Sequence, residues 1–141
     1  MDIRKKVNFL KKKYDTDDPF VIADHLGITV IFENLGTLNG YYNKQLRMKQ
    51  IHINENLPHH MQKFTCAHEL GHSQLHPDSN TNFLKNCTGL SIDRMETQAN
   101  KFAVELLISD ALLKEYSGYT TGQLARLLGY HEKLIELRLK P

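Results

Sequence analysis

Phe64-Thr65-Cys66-Ala67-His68-Glu69-Leu70-Gly71-His72-Ser73-Gln74-Leu75-His76 is the stretch on which the reading of this 141-residue chain turns. Its apolar positions recur at helical spacing, and Pro77 ends the run. On a helix, His68 and His72 are displaced by only ~40° around the axis and ~6 Å along it, so both imidazoles can meet one cation. Glu69 follows the first histidine and lies beside such an ion without having to bind it. Gly71 costs about 1 kcal/mol in a helix relative to alanine, which a helix carrying two stray histidines would not need.

That spacing is His-Glu-x-x-His, in which two histidines hold zinc and the glutamate serves as general base toward a zinc-bound water attacking a peptide carbonyl. A catalytic zinc takes three protein ligands and keeps a position open. Two residues compete for the third place. Glu96 lies on the next long helical pattern, where Ala99 and Ala103 would allow close approach. His76 lies one turn beyond His72, and one straight helix would have to aim three ligands over ~12 Å of axis at a single ion. Glu96 is therefore preferred, with His76 read as a second-shell or substrate-side group. Asn100, one turn past Glu96, is a candidate to orient that carboxylate. Cys66 points away from His68 and reads as a buried thiol. His52, His59 and His60 read as surface residues, and His25 and His131 have no evident partner.

Outward from the helix, Asn56 and Pro58 suit its N-terminus. Ile28–Phe32 reads as a strand, and Tyr41-Tyr42 and Ile51-His52-Ile53 as two short strands joined by a charged loop. Either Gly40–Tyr42 or Ile51–Asn54 is a candidate edge for an extended substrate. Ile3, Val7, Leu10 and Tyr14 form the apolar stripe of a first helix, and its basic residues form the solvated face. Asp18-Pro19 opens a second helix that Gly27 closes. Residues 78–90 read as a loop, Ser91 as the cap of a helix reaching about Ile108, and 121–128 and 131–139 as two shorter helices. The pattern is α+β, helix-rich, with a short, roughly three-stranded sheet before the metal-binding helix. It reads as one domain over 1–141, with a core at 38–107 and a C-terminal helical pair at 120–140.

Composition narrows the classes. Hydrophobic residues make up 40% and charged residues 24%, and no apolar run is long enough to span a bilayer. The basic first thirteen residues lack a following apolar segment, so a secretory signal is not expected. Two cysteines, Cys66 and Cys87, suit a reducing cytoplasm better than a disulfide framework. The stretch Gln123–Tyr130 with Ile135 has helix-turn-helix spacing, but Glu132 and Glu136 balance Lys133 and Arg138. Direct nucleic-acid binding is therefore not expected.

Ile51-His52-Ile53-Asn54, the Phe64–His72 stretch with Leu75-His76, and Glu96-Thr97-Gln98-Ala99-Asn100-Lys101-Phe102-Ala103 together resemble the ImmA/IrrE family of metallopeptidases. The third stretch matches that family's E-x-x-A-N-x-F-A pattern, which is far more specific than the histidine motif alone. The resemblance covers roughly residues 38–107. It implies a zincin-like (gluzincin) fold, one Zn2+ held by His68, His72 and Glu96, and Glu69 as catalytic base. It further implies a narrow endopeptidase of phages and mobile elements or of stress responses, with a helix-turn-helix repressor as protein substrate. The rival classes are a non-proteolytic module that sequesters a repressor and carries a zinc site, and a DNA-binding regulator. An intact Glu69 separates the first rival, since a structural zinc needs no base and prefers four protein ligands.

Overall fold

The computed structural model describes residues 2–81 and 90–141, with the side chains of 90–92 excepted. The expected loop is described only as far as Thr81 and at Leu90, which already belongs to a helix; Cys87 lies outside the described residues, and Ser91, expected as a cap, falls inside that helix.

Helix α1 spans Ile3–Tyr14, started by the Asp2 carboxylate accepting from Lys5 N–H. Lys11, Lys12 and Lys13 occupy its last turn, where positive charge suits the helix dipole. Val7 and Leu10 are buried, and Ile3 and Tyr14 pack against the same core, as the stripe predicts. Helix α2, Pro19–His25, is capped by Asp18 through Phe20 N–H, and Gly27 follows at φ +74°.

Three strands come next: β1 Thr29–Glu33, β2 Gly40–Gln45 and β3 Met48–Asn54. β1 begins one residue later than the sequence suggests, and Ile28 is buried ahead of it. β2 and β3 are longer than expected. Their residues alternate in facing, so polar side chains cost the ladder nothing, and the strands run up to a two-residue turn at Leu46-Arg47. The sheet order is β1-β3-β2, with β1 parallel and β2 antiparallel to β3. Ile51–Asn54 therefore lies mid-sheet and cannot offer an edge to a substrate. Of the two candidate segments, only the one in β2 is an edge.

Helix α3, His59–Leu75, crosses behind β2 and β3. Its N-terminal neighbour is Pro58, with no side-chain cap. Asn56 does not cap it: it lies two residues before Pro58, in the turn leading in, where its N–H donates to the Asn54 side chain. Helix α4, Leu90–Leu107, packs along α3 and buries Ala99, Phe102, Ala103 and Leu106. The main core gathers Val7, Ile22, Tyr42, Ile51, Ile53, Leu70 and Phe102 between sheet and helices.

Beyond α4 comes a short helix the sequence did not disclose, α5 Asp110–Glu115, capped by Ser109. Leu112 and Leu113 are only partly buried, and one adjacent pair is too short to show a period. α6, Thr121–Leu128, opens with a Thr120/Gln123 capping box and closes at Gly129 with φ +77°. α7, Glu132–Leu139, is capped by His131 accepting from Lys133 N–H, a partner the spacing did not reveal. Leu124 and Ile135 join Val104 and Ile108 in a second core. No helix among the described residues is long and apolar enough to cross a membrane.

Candidate metal centre

The run Thr65–Ser73 of α3 is buried throughout, because that helix is pressed between the sheet and α4. The contact is closest at Gly71, where a Cβ would stand 2.9 Å from Phe102 Cβ and 3.2 Å from the Ala99 carbonyl oxygen. Only glycine allows this approach. It brings Glu96 of α4 over the histidines of α3.

The Glu96 carboxylate spans both rings: Oε2 is 3.0 Å from His68 Nε2, and Oε1 is 3.0 Å from His72 Nε2. Burial opposes its charge, but hydrogen bonds and positive charge from the two imidazoles outweigh that and hold the carboxyl well below the usual carboxylate range. His72 is fully buried, and His68 and Glu69 nearly so. His68 Nδ1 lies 2.7 Å from Asn100 Oδ1. Asn100 thus holds the imidazole and not, as the spacing suggests, the Glu96 carboxylate.

This donor set fits a zinc ion. Bonds of about 2.0–2.1 Å in a tetrahedron place donors ~3.3 Å apart, close to the 3.0 Å at which each imidazole nitrogen meets a Glu96 oxygen. The Asn100 contact sets Nδ1 as the N–H side of His68, so Nε2, which faces Glu96 here, is the nitrogen that would turn to a metal. His68, Glu69 and His72 also bring ligand atoms within 4.8 Å of one another. Within that group Glu69 is the poorer donor. Its Oε1 lies 2.8 Å from the Thr81 hydroxyl, and its Oε2 is 3.9 Å from His68 Nε2, whereas Glu96 reaches both rings at 3.0 Å.

His76 stands at the C-cap of α3, with its ring 5.4 Å from that of His72. Burial, and then the neighbouring His72, lower its pKa. It has no contact with the Glu96 oxygens like those of His68 and His72. Cys66 is buried, and burial pushes its thiol up, so it is a packing residue.

His52 corrects an expectation. It is buried and takes Glu33 on Nδ1 at 2.7 Å, with Asn43 and Gln50 near Nε2 and Tyr41 stacked on its ring at 4.3 Å. His59 and His60 are exposed as read. His25 is exposed but stacks on Tyr14 at 4.8 Å, a partner that sequence reading missed. Thr81 was also missed, for it sits in a polar run without periodicity.

A cleft of about 210 Å³ opens onto the site, lined by Asn39, Met61, Phe64, Thr65, His68, Glu69, Glu96 and Asn100. A larger hollow of about 450 Å³ beside Phe20, Asp24 and Ile28 brings only one titratable side chain, so size does not locate the chemistry. The outer edge of β2, next to the cleft, is partly taken. Tyr42 N–H donates to the Thr81 hydroxyl, and Lys44 N–H to Asn80 Oδ1.

The family described as Peptidase_M78, IrrE N-terminal-like domain, matches residues 23–140. Over 139 residues the chain is 41% identical to Uncharacterized immunity region protein 2 of Bacillus phage phi105, covering 96% of this chain and 88% of that protein. Over 122 residues it is 39% identical to Metallopeptidase ImmA of Bacillus subtilis (strain 168), covering 85% and 71% respectively.

Proposed function

The chain belongs to the Peptidase_M78 family of ImmA/IrrE metallopeptidases, and from that premise we propose a zinc-dependent endopeptidase of narrow specificity acting on a regulatory protein. One observation carries this reading. Two imidazoles and one carboxylate from separate helices converge in a buried site while a second carboxylate, Glu69, stands beside them. A purely structural zinc would call for a fourth ligand there, not a base.

His68, His72 and Glu96 would hold one Zn2+, with Asn100 keeping the His68 ring aimed. When bound, zinc polarises a substrate carbonyl and lowers the pKa of water toward 7. Glu69 takes the proton of the attacking water on Oε2, the oxygen not engaged by Thr81, and returns it to the departing amine. Thr65 and Phe64 wall the cleft beside it. His76 serves at the substrate side. The immunity-region name of the phage relative supports a regulatory protein as substrate, and the family resemblance makes a helix-turn-helix repressor the first candidate.

The test is to compare new protein N-termini in the native host between wild type and Glu69→Gln, under inducing stress and with zinc measured in both purified proteins. Glutamine keeps the shape and the metal but removes the base. We expect termini that appear only with wild type, and these would name the substrate. Equal termini with equal zinc would move the assignment to a module that sequesters its partner.

A further inference from the structure

Thr81 is fully buried, and among the described residues its hydroxyl meets three groups. It accepts from Tyr42 N–H on β2, and it lies 2.8 Å from Glu69 Oε1 and 3.2 Å from the Tyr42 carbonyl. A hydroxyl has one proton to give, and the shorter contact to a carboxylate takes it. We propose that Thr81 is a positioning residue for Glu69: its hydroxyl pins Oε1 so that Oε2 alone faces the cleft.

The last torsion of a glutamate is broad, so an unpinned carboxylate would sample many orientations. The pin is itself fixed. Tyr42 OH donates to the Pro77 carbonyl at 2.7 Å, and Asn80 Oδ1 accepts from Lys44 N–H at 2.9 Å, so residues 77–81 are laid along the outer edge of β2. The carboxylate on α3 thereby takes its orientation from the sheet. Its consequence for cleavage rests on the peptidase reading; the anchor itself does not.

Three variants, Thr81→Val, Thr81→Ala and Thr81→Ser, test it by two readouts. One is the 13C resonance of the Glu69 carboxyl carbon, identified by its loss in Glu69→Gln. The other is the rate at which Glu69-dependent termini appear in the host at equal protein level. Valine keeps the shape, and we expect it to move the resonance and slow cleavage about 10–100-fold with zinc content unchanged. Serine restores both. Should valine not fold, alanine against serine makes the same comparison. An unmoved resonance in valine or alanine overturns the proposal, as does a serine variant that behaves like valine. If wild type shows no Glu69-dependent termini, the peptidase reading falls and the resonance alone decides the anchor.

Discussion

Asn100 and Glu96 stand one turn apart on α4 and grip the same imidazole by its two nitrogens. Asn100→Ala would remove the restraint on Nδ1 of that ring, and zinc affinity should fall about 10–100-fold. Unfolding should hardly change, because the asparagine is only half-buried. Titration against a chromophoric chelator measures the first and thermal melting the second; unchanged affinity would mean the ring is aimed by packing alone. Spacing in the sequence placed Asn100 on the correct face but could not say which atom it meets, since Glu96 and His68 are both within reach. His52 was misread for a related reason. Its neighbours Ile51 and Ile53 turn inward, so alternation sends it outward, yet Glu33, Asn43 and Tyr41 from the flanking strands cover it. Those partners come from pairing register, which no local pattern encodes.

Helices α3 and α4 were legible because each buries a stripe long enough to show its period, and the signals at their C-terminal ends fell close to Leu75 and Leu107. α5 and the full length of the β2–β3 hairpin were not, because a six-residue helix without buried residues and a strand carrying Lys44, Gln45 and Lys49 look like loop. The αL closure of α6 at Gly129 supplies a test of magnitudes. Alanine there meets φ +77° and also the exposed His60 ring, 3.1 Å from the new Cβ. The backbone strain should cost about 1–2 kcal/mol, while the flexible His60 side chain moves aside cheaply. Gly129→Ala should therefore lower stability in urea by that amount, and adding His60→Ala should not restore it. Restoration would put the contact ahead of the backbone.

Across the whole molecule, one buried carboxylate joins the chain's first and last helices to α4. Glu105 takes Arg4 on both oxygens at 3.0 and 3.1 Å and Lys101 at 2.9 Å, with Arg138 at 3.6 Å. Burial works against its charge, but the hydrogen bonds from Arg4 and Lys101 and the charge of Arg138 prevail and lower its pKa. A lowered carboxylate stabilises the fold above its unfolded pKa of about 4.3 and ceases to do so as pH falls through the folded value. Glu105→Gln should cost about 2–4 kcal/mol near pH 7, since Arg138 keeps Asp110 and Lys101 keeps the Leu137 and Lys140 carbonyls. The gap between variant and wild type should begin to narrow as pH falls below about 4.3 and close once it passes the lower folded value. A gap that persists under acid would assign the loss to shape and not to charge.

The bare Cα at residue 71 has a consequence for this whole arrangement. The reach from the imidazoles of one helix to the carboxylate of the other is set by a methyl group that is missing, not by any donor atom. Gly71→Ala would act as a shim, gaining about 1 kcal/mol of helix preference while forcing Phe102 and the Ala99 backbone back by a few tenths of an ångström. Metal release should then quicken although no donor has changed. On the proposed ligand set, ion retention would thus be tuned from a position that never touches the ion.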